Sequence, residues 1–265
     1  NTLTVRKIFL PGENSPFSVS GEGWHPTGNF FHKNSIVEAE RNPALQKLLE
    51  IAAISNNSQV HHNQENNNYE LIGDPTEGAL LVLARKSGLK PDEFQQLKVD
   101  DLPFDSNLKM RATLVKRYGK SELMVIGAPE KVLAKAAFKL STRGATPLLN
   151  HEKEAIHQHI SKLSNQAMRV IALAYRPCLA TEISEQDIDE LVFAGIVGMI
   201  DPPRPDSREA VEKCRQAGIR VIMVTGDHVN TAVAIARATG IIDHTDENNV
   251  IALTEQQLLL LDEDE

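Results

Sequence analysis

The spacing of apolar residues changes from one segment of the chain to the next. Residues 2–10 alternate well enough for a β-strand, and apolar residues recur at helical spacing over Pro43–Ile54. Pro11–Asn29 is rich in Gly, Pro, Ser and Asn, and Ser55–Asn68 is almost all Asn, Gln, Ser and His, which predicts two surface loops. Up to about residue 200 we expect an antiparallel sheet flanked by helices.

The last third has a different pattern. Phe193–Ile200 is a continuous apolar run, and Ile219–Val224 is a second run rich in β-branched residues. Helical patterns over Ser207–Ala217 and Asn230–Thr239 follow these runs, and each ends before a glycine. Strand, helix, strand, helix at this spacing predicts a βαβα unit with a parallel, Rossmann-type sheet. We place the boundary between the two parts near Ile200.

Composition narrows the classes of function. The 265 residues suit one large or two modest globular domains. The net charge of -8 argues against nucleic acid as a partner, since nucleic-acid-binding proteins usually carry a clustered positive surplus. No apolar run approaches the ~20 residues that cross a bilayer, so we expect a soluble fragment. The two cysteines lie in unrelated contexts, which fits a reducing, cytosolic environment.

Thr225-Gly226-Asp227 follows a predicted strand and precedes a helix. At that place α/β sheets bind phosphates, because unpaired amides and the helix dipole favour an anion. An ordinary turn capped by Asp227 or Asn230 would explain the same residues.

Asp201-Pro202-Pro203-Arg204 lies at the proposed boundary. Two prolines stiffen the chain, which suits an interdomain hinge where Arg204 pairs with a phosphate or with Asp201. A rigid linker with surface charges is the alternative.

The segment Gly73–Leu80 (GDPTEGAL) opens a predicted helix that runs to Ser87. Asp74 fits the N-cap, and Glu77 fits the reciprocal carboxylate of a capping box. Local physics thus explains this segment without a ligand.

Three single side chains suit a nucleotide but also suit an ordinary protein. Phe104 could stack on a base, although a lone phenylalanine is more often core. Lys109 and Arg169 could neutralise phosphates, although single basic residues usually lie on solvated faces.

The histidines do not predict a metal site. His61 and His62 lack cysteines or carboxylates at ligand spacing. His151, His157 and His159 lie in a polar helix without the spacing of neighbours on one face, so we expect solvated surface.

In combination these motifs resemble the P-type cation-transporting ATPases, close in pattern to the calcium-pump branch, over nearly the whole chain. The phosphorylation-domain signature of that family is similar to MIDPPR, GIRVIMVTGD and TAVAIA at Met199–Arg204, Gly218–Asp227 and Thr231–Ala236. Its nucleotide-domain signatures are similar to GDPTEGAL, FDSNLK, GAPE and MRVIALA at Gly73–Leu80, Phe104–Lys109, Gly127–Glu130 and Met168–Ala174. The motifs occur in the family's order.

The resemblance implies a nucleotide-binding domain over residues 1–200. Phe104 would stack on adenine, and Glu77 would hydrogen-bond near the base. Lys109 and Arg169 would face the triphosphate of ATP, and Gly127 would belong to the same pocket.

A partial phosphorylation domain of haloacid-dehalogenase type would cover residues 201–265. Thr225, Gly226 and Asp227 would lie beside the phosphorylated aspartate, with Thr225 contacting the transferred phosphoryl group. Asp201 and Arg204 would act at the hinge, where Arg204 reaches nucleotide phosphates.

The resemblance also implies what the parent protein is. Its phosphorylated aspartate, in a DKTGT motif, would precede Asn1, and a GDGVND motif that helps hold Mg²⁺ would follow Glu265. The parent would couple ATP hydrolysis to cation transport, with calcium favoured, on the cytoplasmic side of a membrane. Its other phosphorylation, actuator and transmembrane parts would be the partners of this fragment, which alone would bind ATP without hydrolysing it.

Two positions depart from the family pattern. Ile126 stands where a lysine normally precedes GAPE, and Leu108 stands where an arginine is usual. Two lost cations predict weaker nucleotide binding, by roughly one or two orders of magnitude. Arg111 or Lys116 could instead substitute. One alternative is a non-catalytic nucleotide-sensing module, in which the lysine has been lost without penalty. The other is a soluble haloacid-dehalogenase-type phosphatase, which would share the Thr225 strand but would not need the nucleotide-domain motifs in order.

Overall fold

The computed structural model describes residues 2–64, 67–142, 144–201, 206–225, 229–242, 252–254 and 257. The chain divides into two compact units. The first comprises Asn1–Lys162 with Arg169–Asp201, and the second comprises Leu163–Met168 with Pro202–Glu265. Nowhere in the described ranges is a helix both long enough and apolar enough to cross a membrane.

Strands dominate the described residues of the first unit. They are β1 (Thr4–Phe9), β2 (Phe17–Val19), β3 (Phe30–His32), β4 (Ser35–Val37), β5 (Gln59–Asn63), β6 (Asn68–Ile72), β7 (Lys98–Asp105), β8 (Met110–Arg117), β9 (Lys120–Gly127), β10 (Ala136–Ser141), β11 (Gly144–Pro147), β12 (Arg169–Cys178) and β13 (Leu191–Ile200). The helices that begin in this unit are α1 (Pro43–Ile54), α2 (Pro75–Lys86), α3 (Pro91–Phe94), α4 (Pro129–Ala134) and α5 (Asn150–Ser164).

Eleven of these strands form one sheet, in the order β4-β3-β2-β1-β13-β12-β9-β8-β7, with β10 paired to β13 and β11 paired to β10. Strands β5 and β6 form a separate antiparallel pair. The β10–β13 pairing is parallel, and the other pairings of the large sheet are antiparallel. The expected mixed fold, a large antiparallel sheet with flanking helices, is confirmed.

Helices α1 and α2 cover one face of the sheet, and both begin as their sequences predict. Asn42 caps α1 by accepting hydrogen bonds from the amides of Ala44 and Leu45, and a proline occupies the first turn. Along β9 and β12, alternate residues such as Ile126 and Leu173 belong to the core cluster under these helices. The intervening Val125 and Ala172 are also fully buried, so both faces of these strands are covered.

Two predicted loops contain strands. Ser55–Asn68 includes β5 and the start of β6, and Pro11–Asn29 includes β2. The β5–β6 hairpin was not predicted because the side chains of Ser55–Asn68 show little hydrophobic alternation. Its strands are mostly exposed or half-buried and are held by backbone pairing. The histidine prediction also needs correction at one position. His159 is half-buried and stacks on Phe9 with ring centroids 3.9 Å apart, and burial lowers its pKa.

The described part of the second unit contains α6 (Ser207–Gln216) and α7 (Val229–Ala238), as the helical patterns predict. The strand predicted over Ile219–Val224 is not observed, and the segment has no regular secondary structure. Phe193–Ile200 is a strand, but it belongs to the antiparallel sheet of the first unit. A parallel strand needs a neighbouring strand, and the described residues of the second unit provide none.

Candidate functional site

Four strand ends meet at one end of the large sheet. Pairing joins the end of β7 at Asp105 to the start of β8 at Met110, and Met110 to the end of β9 at Gly127. Gly127 pairs in turn with Ala172, near the start of β12. The antiparallel topology therefore collects Phe104, Lys109, Gly127 and Arg169 at the same end of the sheet.

Phe104 lies on edge strand β7 with 61% of its surface exposed. An exposed aromatic ring on a rigid strand can stack on a planar ligand. The turn that follows is well fixed, because the Asp105 carboxylate accepts hydrogen bonds from the amides of Asn107 and Leu108 at 2.8 Å. The expectation of an available ring at Phe104 thus has a structural basis.

Lys109 closes that turn in the left-handed region, with φ of 55°. Its amide donates to the Asp105 carbonyl at 2.7 Å, and its carbonyl accepts from the Ala128 amide at 2.9 Å. Left-handed backbone is uncommon for residues other than glycine, so these bonds hold an unfavourable conformation. The side chain of Lys109 is exposed beside this turn.

Gly127 is required by close packing of the backbone. A Cβ atom at this position would lie 2.5 Å from the Lys109 carbonyl oxygen and 2.5 Å from Met110 Cγ. Any larger residue would push the turn that carries Lys109 away from β9. The absence of a side chain at Gly127 therefore allows the turn that carries Lys109 to pack against β9.

Arg169 lies near the N-terminus of α2. Its guanidinium donates a hydrogen bond to the Thr76 hydroxyl at 2.9 Å. The Asp74 carboxylate caps the helix by accepting from the amides of Thr76 and Glu77 at 2.8 and 3.1 Å, as predicted. Arg169 and Thr76 are exposed or half-buried, so an anion has access to the arginine.

Glu77 does not form the predicted capping box. Its Oε2 atom accepts from the Asn57 amide at 2.8 Å and the Ser58 hydroxyl at 3.3 Å. Its Oε1 atom pairs with the guanidinium of Arg111. Because α2 packs on the sheet, a buried cation on β8 attracts the carboxylate more strongly than the helix N-terminus does.

Arg111 is a buried cation between two carboxylates. Only 3% of its surface is exposed, and it donates to the two oxygens of Asp101 at 2.9 and 2.7 Å. Burial raises the pKa of Asp101, but hydrogen bonds from Arg111 and Thr113 outweigh burial and hold the pKa below its usual value. Glu77, Arg111 and Asp101, which we call the carboxylate–arginine cluster, thus join α2 to strands β7 and β8.

The register of β8 and β9 shows whether Arg111 or Lys116 is placed to replace the lysine expected at Ile126. Arg111 is directly opposite Ile126 in the β8–β9 register, whereas Lys116 is near the other end of β8, opposite Ser121. Arg111 is already paired with two carboxylates, so it is not a free cation for a phosphate. Ile126 itself is 6% exposed and packs in the core.

Asp201 lies just after β13, where its Oδ1 atom accepts from the Thr2 amide at 3.3 Å. Thr225 belongs to the second unit and is exposed after the irregular segment that precedes it. Arg204, Gly226 and Asp227 lie outside the described residues. Their predicted roles stay predictions.

Sequence reasoning named Glu77 and Arg111 singly, but it missed Asp101 and the pairing of the three residues. Asp101 and Thr113 are opposite in the β7–β8 register, and Arg111 lies two residues from Thr113 on the same strand face. A usable signal was present, since Arg111 and Thr113 are polar residues at alternate positions within the buried part of β8, Met110–Val115. Among the described residues, no group of three or more His, Cys, Asp or Glu side chains could hold a metal ion.

Comparison with known proteins agrees with the motifs. The family model of the P-type ATPase cytoplasmic domain N matches residues 44–206, more than half of the chain. The chain is 37% identical over 243 residues to a calcium-transporting ATPase of Bacillus subtilis (strain 168), covering 89% of this chain and 27% of that protein. It is 34% identical over 251 residues to the cation-transporting ATPase pma1 of Synechocystis sp., covering 91% of this chain and 27% of that protein.

A eukaryotic relative matches in the same way. The calcium-transporting ATPase type 2C member 1 of Pongo abelii is 30% identical over 266 residues, which cover 97% of this chain and 27% of that protein. The chain thus spans about a quarter of the length of the curated relatives it matches. On these matches the chain belongs to the P-type ATPases, as part of the cytoplasmic region that contains domain N.

Proposed function

We propose that the first unit binds ATP for a cation-transporting P-type ATPase, with calcium as the transported ion. The observation that carries the proposal is that Phe104, Lys109 and Arg169 lie at one end of the sheet, where Arg169 donates to Thr76 in the first turn of α2. An exposed ring and two cations around one rigid end suit a base and a phosphate chain respectively. The relatives are named as calcium- or cation-transporting ATPases, which favours this assignment.

The chemistry of the parent protein follows from its class. ATP would transfer its γ-phosphoryl group to an aspartate, and Mg²⁺ would neutralise charge on the phosphates. The role of this chain is to bind the nucleotide and to present its phosphates, with Thr225 and Asp227 proposed near the phosphoryl group.

Calorimetric titration of the 265-residue chain with ATP tests the proposal. Phe104→Ala should weaken ATP binding by about 1–3 kcal/mol, because base–aromatic stacking contributes that much. Val99→Ala, on the same edge strand and also exposed, is the matched control and should leave the Kd unchanged. Equal effects of the two substitutions, or no ATP binding by the unmodified chain, would overturn the assignment.

A second titration separates the base from the phosphates. Arg169→Met should weaken binding of ATP and leave binding of adenosine unchanged, because the guanidinium is placed for anions. The difference should shrink as salt increases, since exposed charges are screened within about 10 Å at 0.1 M ionic strength. An equal loss for ATP and adenosine would show that Arg169 supports the fold only.

A further inference from the structure

A cavity of the first unit has no role in the site described above. Its volume is about 360 Å³, near the lower end of the range for ligand pockets. Pro43, Gln46, Lys47 and Glu50 line it from α1, where their spacing places them on one face of the helix. The segment that contains α3 and the end of β8 supply the other lining residues. Three separate elements of the first unit thus form one concave surface.

The cavity is far from the end of the sheet that collects Phe104 and Lys109. Arg117 lines the cavity and is the last residue of β8, whereas Met110, the first residue of the strand, lies at the other end. Eight residues of strand at about 3.3 Å per residue put Met110 and Arg117 roughly 23 Å apart. That separation exceeds the ~10 Å over which exposed charges interact at 0.1 M ionic strength, so the charges at the two places act separately.

Leu89 and Phe94 give the cavity an apolar wall. Leu89 lies two residues before α3, and Phe94 is the last residue of that helix. Both side chains are half-buried and pack against the core cluster, so part of each still meets solvent. Covering that remaining apolar surface with a ligand is favourable, because it removes the surface from water. The wall therefore suits an apolar group, and an aromatic ring can pack on Phe94.

The ammonium of Lys47 already has its partners. It donates to Glu50 Oε2 at 3.1 Å and to Glu122 Oε2 at 2.5 Å, and it lies 4.7 Å from the centroid of the Tyr175 ring. Burial acts to lower the pKa of Lys47, but the two carboxylates outweigh burial and raise it. Lys47 is thus a satisfied cation that holds Glu50 in the wall, and a ligand gains little from it.

Arg117 is the lining group with donors to spare. Within the described residues its guanidinium makes one hydrogen bond, to Glu50 Oε1 at 3.2 Å, whereas a guanidinium carries five N–H groups. Its side chain is 53% exposed. The two-residue turn Tyr118-Gly119, with φ of 50° and 77°, fixes the backbone beside it. Because Glu50 lies between Lys47 and Arg117, its charge is balanced, and the cavity favours an anion over a cation.

We propose that this cavity binds a small aromatic carboxylate, with its ring on Leu89 and Phe94 and its carboxylate on Arg117. The guanidinium fork matches the two oxygens of a carboxylate, and such charge-assisted bonds are about twice as strong as neutral ones. The cavity has the volume of about twelve waters at roughly 30 Å³ each, which limits the ligand to a small molecule. A protein partner is disfavoured, because a stable interface takes about 20–30 residues a side.

Ligand-observed NMR on the 265-residue chain tests this site with 3-phenylpropionate as the probe. The amide 3-phenylpropanamide and the amine 3-phenylpropylamine carry the same ring and chain, with no charge and with a positive charge respectively. The carboxylate should bind with a Kd on the order of 1 mM or tighter, as expected for a ligand of this size. It should bind about tenfold or more tightly than the amide and the amine, because one charge-assisted hydrogen bond separates them.

Arg117→Met removes the proposed anion contact at an exposed position. It should lower the preference for the carboxylate over the amide to about twofold or less. Lys116→Met is the matched control, because it removes the same charge from the neighbouring residue, whose side chain is on the other face of β8. It should leave the preference unchanged. Gln46→Trp, at an exposed position of α1, fills the cavity without a change of charge and should weaken binding of both probes.

The outcomes are distinct from those for ATP. Added ATP, and the variant Arg169→Met at the nucleotide end, should leave the binding of 3-phenylpropionate unchanged. Competition by ATP, or a loss of probe binding in Arg169→Met, would show that the probe occupies the nucleotide end and would overturn the proposal. If the chain does not bind ATP, the proposed function fails while Arg169→Met still tests this site.

The proposal is also overturned if the unmodified chain does not bind the probe, or if Lys116→Met and Arg117→Met lose the preference equally. Full binding by a folded Gln46→Trp would overturn it as well. Circular dichroism checks the fold of each variant. Should Arg117→Met or Gln46→Trp not fold, the other of the two decides.

Discussion

Two apolar runs of similar composition have opposite environments in this molecule. Leu191–Ile200 forms β13 between β1 and β12, and every residue except Ile200 is buried. Ile219–Val224 has no regular structure, and Val224 is 92% exposed. The difference teaches that an apolar, β-branched run encodes the capacity to be a strand, while neighbouring strands decide whether one forms.

The contrast extends to the units that contain these runs. In the first unit, α1, α2 and alternate residues of the central strands form one buried core, and the intervening residues of those strands are buried as well. Between residues 206 and 242, the described side chains that are buried are Ala236 in α7 and Thr239 just after it. We therefore expect the first unit to carry most of the stability that unfolding experiments measure.

Limited proteolysis should show the largest difference. Trypsin should cut first after Arg220, which is exposed in a segment without regular structure, and should leave the first unit intact. Cutting within the sheet requires unfolding, and an opening cost of about 3 kcal/mol slows cleavage roughly a hundredfold. Mass spectrometry of the early fragments measures this. Early cuts inside residues 102–174 would contradict both the contrast and the boundary proposed near Ile200.

Truncation of one apolar side chain in each run should sharpen the comparison. Leu48→Ala, in α1 against β13, should lower the free energy of unfolding by about 2–5 kcal/mol, because Leu48 is fully buried. Ile222→Ala, at an exposed position, should change it by less than about 0.5 kcal/mol.

Urea titration can follow both variants through the fluorescence of Trp24, the one tryptophan of the chain, with circular dichroism for the whole molecule. Trp24 is buried in the first unit and reports its unfolding. A cost for Ile222→Ala close to that of Leu48→Ala would mean that the second run is packed in solution.

How far the sequence predicts the fold depends on where the deciding interactions lie. The bounds of α1 and the cap of α2 agree with prediction, because helix periodicity and capping are local. The β5–β6 hairpin was not predicted, because its polar strands are held by pairing between backbones. The pairing partners of β13 were not predicted either, since β1 and β12 contact it across long separations in sequence.

The same reasoning applies to the candidate site. Phe104, Lys109, Gly127 and Arg169 could be named from motifs, and the order of strands then brings them to one end of the sheet. The partner of Arg111 could not be named, because Glu77 is 34 residues away and had a sufficient local explanation as a cap. Because capping explained Glu77 locally, its pairing with Arg111 was not predicted.

Helix capping offers a smaller test of the contrast. Asn42→Ala should destabilise the first unit by about 1 kcal/mol, since its side chain accepts from two amides at the start of α1. Asp206 occupies the same position before α6 but makes no capping hydrogen bond through its side chain. Asp206→Ala should therefore cost less than about 0.5 kcal/mol, through the helix dipole alone. Urea titration of both variants measures the difference, and equal costs would refute it.

The close packing of the first unit also disfavours one charged group, the ammonium of Lys86. Its ammonium donates to the carbonyls of Ser20 and Gly21 at 2.7 and 3.4 Å, and burial, with a smaller effect of Arg6, lowers its pKa to about 8. The unfolded chain keeps the ordinary value of 10.5. Between these two values the unfolded state binds more protons than the folded state, so this group makes the free energy of unfolding rise with pH.

Lys86→Met removes that titration. The free energy of unfolding of the unmodified chain, minus that of the variant, should be flat below pH 8 and should rise from pH 8 toward 10.5. We expect the rise to be below about 1 kcal/mol, because the ammonium is partly exposed and solvent screens it. Urea titrations at pH 7, 8, 9 and 10 measure it, and Lys90→Met, a well-exposed lysine, controls for the loss of one positive charge. A difference that falls as pH rises would show that Lys86 is stabilised as the cation, and that burial is not its dominant interaction.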